Sequence, residues 1–325
     1  MRNWDTTDES GVCTSDQDWR DVQAVCKQLD IPCRHVDFTK EYWVKVFTKM
    51  IEDYENGFTP NPDIICNREI KFGLFLDKCL GSMFNAKWFA TGHYVQVDHI
   101  HDRVKLLRGV DSTKDQSYFL SAVPEEKLKW AIFPVGKLYK TQVKSIASNA
   151  NLITANKQES MGVCFIGKKK KFAEFLKQYL VTKPGDIKTI DGRIIGQHCG
   201  LFAYTIGQCA HINYGTNRWF VLKRNTKDNT LIVVPESNNP LLFSRSLVAK
   251  NWTWYFPPEK IKNDIKLLAQ IRYHQSPVSC TVISRSNGRY FVEFETPQRA
   301  IAPGQVVVIW DNNWCLGSGV IEYAL

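Results

Sequence analysis

The sequence predicts an α/β domain followed by β-rich domains, and three observations carry this prediction. In the first half, stretches with helical periodicity alternate with short apolar strands, which is typical of an α/β domain with a mainly parallel sheet. After Pro184-Gly185 the character changes, and short β segments follow one another with turn residues between them. A length of 325 residues is too much for one ordinary core, so we expect two or three domains.

Periodicity defines the elements of the first half. The helix at 21–30 places Val22, Val25 and Leu29 on one face and stops at Ile31-Pro32. The predicted helices are 21–30, 42–54, 67–84, 140–152 and a last one that runs from the lysines at 168–171 to Leu180. The predicted strands are 33–38, 87–91 and 106–110. The strand at 87–91 runs into Gly92-His93, and the strand ends of an open α/β sheet are where ligands bind.

The second half contains two hairpin signals and a series of short strands. Asp191-Gly192 lies between two β-rich arms within 187–195, a strong hairpin signal. The segments 219–223 and 230–234 flank a second turn. Five later segments predict a small barrel: 265–273, 278–284, 290–295, 305–310 and 319–323. We therefore predict an α/β domain at 1–170, a central β-rich domain at 171–241 and a C-terminal β-barrel at 242–325.

The charge balance favours a polyanionic partner. Lys and Arg exceed Asp and Glu by 42 − 33 = 9, and the isoelectric point is near 9.0. Twelve tyrosines and ten tryptophans are available for base stacking, so nucleic acid is the favoured partner, although excess charge can serve solubility alone. The 44% apolar content is that of a globular protein, and no run of about 18 apolar residues predicts a membrane span.

The ten cysteines do not form a disulfide framework or a zinc knuckle in the sequence. No CxxC pair occurs, and a reducing compartment with one or two working thiols fits better than a secreted scaffold. His198-Cys199 with Cys209 and His211 invites a zinc reading, but adjacent His and Cys are poorly spaced for tetrahedral ligation, so we expect no structural metal. The N-terminus carries no hydrophobic signal and no Arg/Ser-rich transit helix, which on its own favours a cytosolic protein.

Cys66 and Cys164 occupy settings unlike those of the other cysteines. Cys66 follows a double-proline turn that ends in Asp63 and heads a predicted helix with Lys71 one turn in. Cys164 lies between Gly162 and Gly167, which let the backbone bend on both sides. A thiol at a helix start near cations has a lowered pKa and is nucleophilic, and a nearby carboxylate can exchange protons. Two inert buried cysteines remain the alternative, because free Cys is among the most buried residue types.

The same stretches carry a family resemblance. Pro-Asn-Pro-Asp before Cys66, Ala-Thr-Gly-His-Tyr at 90–94, Lys-Asp-Gln-Ser-Tyr-Phe-Leu at 114–120 and the Cys164 segment resemble the tRNA 2-thiouridylases, over essentially the whole chain. Asn3-Trp4-Asp5 and residues 11–14 resemble the mitochondrial branch, which implies a mitochondrial protein. The resemblance implies a truncated Rossmann-like (adenine nucleotide alpha-hydrolase-like) domain, a small β domain and a C-terminal β-barrel.

The resemblance implies ATP-dependent 2-thiolation of the wobble uridine of tRNA. Cys164 would carry sulfane sulfur as a persulfide, Cys66 would close a disulfide onto it, and Asp63 would handle the proton on the base. ATP, with Mg²⁺, would first adenylate the uridine C2 oxygen, and Met1 and Gly92 would approach this nucleotide. The implied partners are tRNA and an upstream protein that donates persulfide sulfur, with no membrane.

The tRNA contacts implied by the resemblance are Asn61, Pro62, Asp63, His93, Lys114, Asp115, Gln116, Arg272, Tyr273 and Gln305. From the residues alone, the 61–63, His93 and 114–116 assignments have a plainer interpretation. The 61–63 turn could cap a helix, which is compatible with a role at the base. A lone strand-end His is more often a satisfied surface residue, and 114–116 could be an ordinary polar turn. The lysines at 168–171 either meet the tRNA backbone or form a solvated helix face.

One family segment has no counterpart in the sequence. The Ser-Gly-Gly-Val-Asp-Ser loop that wraps the ATP pyrophosphate does not occur, and Met1 aligns after the second strand of the family. We therefore expect an N-terminally incomplete chain. Two functional alternatives remain open: a non-catalytic tRNA-binding protein, and a carrier that holds a persulfide on Cys164 and passes it on.

Overall fold

The computed structural model describes residues 1–4, 14–157, 172–260 and 266–325. The chain forms two compact units. Unit 1 comprises Met1–Thr48, Pro62–Lys170 and Asn313–Cys315, and unit 2 comprises Lys49–Asn61, Lys171–Asn312 and Leu316–Leu325. The chain thus passes from unit 2 to unit 1 between Asn61 and Pro62, inside the turn that the sequence singles out.

The helices lie mainly in unit 1. The described α-helices are α1 (Thr14–Gln28), α2 (Thr39–Tyr42), α3 (Thr48–Glu55), α4 (Pro62–Cys66), α5 (Leu76–Leu80), α6 (Ser117–Leu120), α7 (Glu125–Leu128), α8 (Lys140–Asn149) and α9 (Phe172–Leu176). Two π-helical segments, Trp43–Phe47 and Asn67–Phe75, join α2 to α3 and α4 to α5. Each predicted helix has a helical counterpart among the described residues, but the one expected to reach Leu180 ends at Leu176, and its expected start at the lysines lies outside them. The helix expected at 67–84 begins earlier, at Pro62, because proline has no N–H to leave unsatisfied at a helix start.

Unit 1 has little parallel sheet among its described residues. β1 (Phe89–Ala90) pairs in parallel with β4 (Ala131–Ile132), while β2 (Val95–Ile100) and β3 (Arg103–Arg108) form an antiparallel hairpin. The prediction of a strand at 33–38 is wrong, because the segment makes only a single parallel bridge, from Asp37 to Arg2. The expected mainly parallel sheet is therefore confirmed only at β1 and β4, and β2 was not predicted.

The first sheet of unit 2 has four strands. They are β5 (Gly185–Thr189), β6 (Ile194–His198), β7 (Trp219–Asn225) and β8 (Thr230–Pro235), in the spatial order β6-β5-β8-β7. β5 and β8 are parallel, and the other pairs are antiparallel, so the predicted β5–β6 hairpin is confirmed. Ile187, Val221, Leu231 and Val233 form the buried core of this sheet.

The C-terminal strands close into a six-stranded barrel. They are β9 (Phe243–Trp254), β10 (Leu267–Gln270), β11 (Val278–Ser284), β12 (Tyr290–Arg299), β13 (Val306–Asp311) and β14 (Trp314–Ala324). The order is β13-β10-β11-β12-β9-β14, and a further pairing of β13 with β14 completes the ring. The barrel confirms the prediction, and β9 is the strand that it missed. Across the described residues, no helix is long and apolar enough to cross a membrane.

Candidate active site

Cys66 lies on a continuous helical run rather than at its start. The helix begins at Pro62, Asp63 occupies its first turn, and Cys66 ends α4 where the π-helical segment Asn67–Phe75 begins. The expectation that Cys66 heads the helix is therefore wrong by about one turn. Cys66 is only 4% exposed, so its thiol is closed to bulk solvent. Gly73 interrupts this segment, because its backbone dihedrals (φ −91°, ψ −105°) are not helical.

Asp63 is a carboxyl whose environment favours the neutral form. Burial raises the pKa of Asp63, and the nearby charge of Lys71 opposes this effect only in part. The first turn of a helix favours a negative charge, so both Lys71 and the helix end act against the shift, and burial still dominates. A carboxyl with a raised pKa holds its proton more firmly than an exposed one and is a stronger base once ionised, which suits acid–base chemistry.

His93 faces the same cation. Its Nδ1 lies 2.8 Å from Thr91 Oγ1, and its ring packs against Phe72 at 5.8 Å between centroids. Burial, with a smaller contribution from the charge of Lys71, lowers the pKa of His93 to about 3. His93 is therefore neutral at physiological pH and can offer a hydrogen bond but no charge to RNA. Because Lys71 acts on both Asp63 and His93, the structure brings these three groups together in unit 1. Sequence analysis connected Lys71 with the Cys66 thiol, and its effect on Asp63 and His93 was not predicted.

The predicted tRNA-binding residues Asp115 and Gln116 are held by internal hydrogen bonds. Asp115 Oδ1 accepts from the backbone N–H of Gly109 at 2.9 Å, and Oδ2 accepts from Arg108 Nη1 at 3.3 Å. Gln116 Oε1 accepts from the backbone N–H of Tyr94 at 3.0 Å. The loop at 114–116 is thereby joined to the residue next to His93. The polar-turn reading describes Asp115 and Gln116 well, and Lys114 remains the member whose charge suits a phosphate.

Asn67 is a polar residue of the site that sequence reasoning missed. It is 3% exposed and follows Cys66 directly. Its Nδ2 donates to the carbonyl of Phe119 at 3.2 Å, whereas its buried Oδ1 finds no hydrogen-bond partner among the residues that the structure describes. A buried acceptor without a partner costs free energy, and a native structure that keeps one calls for an explanation. The only signal in the sequence was its position beside the cysteine.

In unit 2 the predicted tRNA contacts also bind the protein's own backbone. Gln305 Nε2 donates to the carbonyl oxygen of Thr59 at 2.8 Å and to that of Pro60 at 3.4 Å. Arg272, just beyond the end of β10, donates from Nη2 to the carbonyl of Ala300 at 2.6 Å. Tyr273 is partly exposed. Gln305 thus holds the segment that leads into Asn61.

The zinc reading of the second half is disfavoured by hydrogen bonding. His198 Nδ1 accepts from the backbone N–H of Gly200 at 3.1 Å, and Nε2 lies 3.1 Å from the carbonyl of Asn229. Both ring nitrogens therefore already have partners. Within the described ranges, no group of three His, Cys, Asp or Glu side chains is arranged to hold a metal ion.

Cys164 and the lysines at 168–171 lie outside the described residues, so the structure does not test the persulfide cysteine or its disulfide with Cys66. No disulfide joins any two of the described cysteines. Met1 is exposed, and Gly92 is exposed just after β1. A Cβ built at Gly92 would meet no other atom within 4 Å, which leaves room for a ligand beside the backbone.

Comparisons with known proteins identify the family. The descriptions that match are a tRNA methyl transferase HUP domain at residues 1–168, a tRNA methyl transferase PRC-barrel domain at 173–235 and an aminomethyltransferase beta-barrel domain at 244–321. A tRNA-specific 2-thiouridylase MnmA of Geobacillus kaustophilus (strain HTA426) is 44% identical over 331 residues, which cover 99% of this chain and 87% of that protein. The tRNA-specific 2-thiouridylase MnmA of Listeria welshimeri is 46% identical over 324 residues, which cover 99% of this chain and 86% of that protein. The tRNA-specific 2-thiouridylase MnmA of Stutzerimonas stutzeri (strain A1501) is 46% identical over 330 residues, which cover 100% of this chain and 87% of that protein.

This chain belongs to the tRNA-specific 2-thiouridylase family. The resemblance carried by the Cys66 and His93 motifs is confirmed, as is the prediction of an enzyme with an α/β domain, a small β domain and a barrel. The prediction of a mitochondrial protein is wrong. It depended on a few residues near the N-terminus, whereas the three 2-thiouridylases named above, which match nearly the whole chain, are bacterial.

Proposed function

We propose that this chain catalyses ATP-dependent 2-thiolation of the wobble uridine of a tRNA, with Cys66, Cys164 and Asp63 as its catalytic residues. Family membership supports the reaction class. The observation that carries the residue assignment is the placement of Asp63, a carboxyl with a raised pKa, in the first turn of the helix that bears Cys66. An acid–base group beside a nucleophile is what this chemistry requires.

ATP supplies the adenylyl group that turns the uridine C2 oxygen into a leaving group. The exposed backbone of Gly92 after β1 fits the approach of the nucleotide, and Met1 is the second residue assigned to it. Mg²⁺ accompanies the phosphates. The protein's own contribution begins with Asn61, Pro62 and Asp63, which hold the target base, and Asp63 takes the proton from the base as its C2 oxygen is activated.

The sulfur transfer balances as follows. The terminal sulfur of a persulfide on Cys164 attacks C2, and AMP leaves with the former C2 oxygen. The Cys66 thiolate then attacks the inner sulfur of Cys164, which breaks the persulfide S–S bond and leaves sulfur on C2. A disulfide between Cys66 and Cys164 results, and a dithiol reductant returns both thiols. An upstream protein with a persulfide reloads Cys164.

The remaining assigned residues bind the tRNA body. His93, neutral in this environment, donates or accepts one hydrogen bond, and Lys114 meets a phosphate while Asp115 and Gln116 hold its loop. Arg272, Tyr273 and Gln305 contribute from unit 2. The basic balance of the chain, +9, supports a polyanionic substrate.

The test is thiolation of an unmodified tRNA transcript by purified chain with ATP, Mg²⁺ and a persulfide donor. Cys66→Ser and Cys164→Ser each lower the rate by roughly a thousandfold or more, because each removes a group that forms a bond in the reaction. Their affinity for tRNA stays within about twofold of the parent's. Cys33→Ser, at an exposed cysteine outside the site, is the matched control and keeps the parent rate.

Three outcomes contradict the proposal. Full activity in either Cys66→Ser or Cys164→Ser sinks the residue assignment. A parent chain that binds tRNA but incorporates no sulfur with ATP present is a non-catalytic binder, and a parent chain that accepts a persulfide and passes it on without ATP or tRNA is a carrier.

A further inference from the structure

Thr59 is a buried residue whose polar atoms are all hydrogen-bonded. It is 7% exposed, and each of its polar atoms has a partner from a distant part of unit 2. Its N–H donates to the carbonyl of Pro303 at 2.8 Å, its carbonyl accepts from Gln305 Nε2 at 2.8 Å, and its Oγ1 accepts from Arg224 Nη2 at 2.8 Å. A surface connection does not need three such anchors.

The backbone of Gly304 packs closely against the backbone of Thr59. Gly304 adopts φ +93°, and a Cβ there would lie 2.7 Å from Thr59 N and 2.9 Å from Phe58 Cβ. Gly304 N–H donates to the carbonyl of Ile321 at 2.9 Å, which fixes this turn to the barrel strand β14. The anchor of Thr59 is therefore a rigid element.

Arg224 is an unusual anchor because it is a buried cation without a carboxylate partner in any described contact. It is 9% exposed, and it donates from Nη1 to the carbonyl of Tyr204 at 3.0 Å and from Nη2 to Thr59. Burial lowers the pKa of Arg224 to about 10, so it stays charged at neutral pH. Burying a charge costs free energy, and charged hydrogen bonds are stronger than neutral ones. We take this cost as an indication that the charged hydrogen bond to Thr59 serves a purpose that an apolar contact at position 224 would not serve.

The held segment leads directly into the site. Thr59 precedes Asp63 by four residues, and Pro60 and Pro62 lie between them. Proline fixes its own φ and restricts the residue before it, so the direction set at Thr59 is passed on with little freedom. We propose that Arg224, acting through the hydroxyl of Thr59, is a positioning residue that fixes the course of the chain from Thr59 to Asn61, the residue that directly precedes Pro62 and Asp63. The proposal rests on the proposed function, because its second readout is thiolation.

The first experiment needs no activity. Hydrogen exchange is measured by mass spectrometry on the parent chain and on Thr59→Val, which removes the acceptor and keeps the shape of the side chain. Peptides that cover 58–66 exchange roughly tenfold faster or more in Thr59→Val, and peptides from β7 and the barrel keep the parent rate, because one charged hydrogen bond is lost locally. Thr59→Ser keeps the hydroxyl and retains parent exchange. Equal hydrogen-exchange rates at 58–66 in Thr59→Val and in the parent would overturn the proposed positioning by Arg224 and Thr59.

The second experiment separates positioning from mere stability. In single-turnover thiolation, Thr59→Val and Arg224→Lys lower kcat about tenfold with KM for tRNA within about twofold, because a displaced turn misaligns Asp63 without removing it. Thr59→Ser restores the parent rate, and Thr281→Val, at an exposed threonine of β11, never loses it. The double variant Thr59→Val/Arg224→Lys falls no further than either single variant, since both remove the same hydrogen bond.

The outcomes keep the two proposals distinct. Faster exchange at 58–66 together with a parent rate of thiolation overturns the positioning role and leaves the proposed function intact. A parent chain without thiolation defeats the proposed function and with it any positioning for that reaction, whatever the exchange shows.

Discussion

At the residue scale, Asp63 shows how burial outweighs a favourable local charge. The first turn of a helix and the cation of Lys71 both stabilise a carboxylate, yet the pKa of Asp63 is raised because its side chain is removed from water. The sequence reveals the turn and the lysine, and both point toward a lowered pKa. The extent of desolvation depends on packing that no local pattern contains.

A prediction about Asp63 follows from the sign of this shift. A carboxyl whose folded pKa is raised favours the folded state below its ordinary pKa of 3.8, and that contribution is lost as the pH rises through the folded pKa. Asp63→Asn cannot ionise, so the variant is more stable than the parent at neutral pH. The difference in melting temperature shrinks to near zero in acid. The same variant loses thiolation.

The measurement is thermal unfolding of both chains from neutral pH down to about pH 3. Asp53→Asn is the control, because burial also raises the pKa of Asp53, which lies in unit 2 outside the site. It should show the stability gain and keep the thiolation rate. A parent melting temperature above that of Asp63→Asn at neutral pH would contradict the prediction.

At the element scale, the helix that carries Cys66 and the turn that precedes it depend on different parts of the chain. The part of this helix that follows Cys66 was predicted, as a helix at 67–84, from its helical periodicity. Its early start at Pro62 and the π-helical geometry were not. The amide of Gln305 donates to Thr59 and Pro60, more than two hundred residues away in the chain, and its expected contact with tRNA stays a prediction.

Gly304 gives the prediction at this scale. Gly304→Ala combines an unfavourable φ of +93° with a clash against Thr59 N, so it destabilises unit 2 by roughly 2–4 kcal/mol. Gly288→Ala is the matched control, since it shares a positive φ, +67°, but meets no atom within 4 Å, and it costs only about 1 kcal/mol. Urea unfolding measures both. Equal losses in the two variants would show that backbone strain alone matters and that the contact with Thr59 does not.

At the scale of the whole molecule, the charge balance makes a prediction that does not depend on any one contact. With a formal charge of +9, binding to tRNA is accompanied by counterion release. We expect the affinity to fall at least tenfold between roughly 50 and 200 mM salt. Filter binding with an unmodified transcript measures this dependence, and a Kd that does not change with salt would refute a phosphate-dominated interface.

The predictions of architecture and family succeeded because several motifs supported them, whereas the prediction of a compartment failed because only a few residues supported it. The α/β, small β and barrel architecture is confirmed, and so is the family, because both depend on patterns spread over the chain. The mitochondrial assignment depended on Asn3-Trp4-Asp5 and residues 11–14, and bacterial relatives at 44–46% identity overturn it. A short local likeness carries little weight against a full-length match.

The amino-acid order alone determined the helices and most strands, the barrel, the family, and the pair of cysteines with the carboxyl that the proposed chemistry needs. These follow from periodicity, turn chemistry and motif order, which are properties of neighbours along the chain. Only the tertiary structure decided that Asp63 is desolvated, that His93 is neutral, that Asn67 keeps a buried acceptor, and that Arg224 and Gln305 hold the entrance to the turn. Each of these depends on which distant groups exclude water from a side chain or bond to it, and that information arises only when the chain has packed.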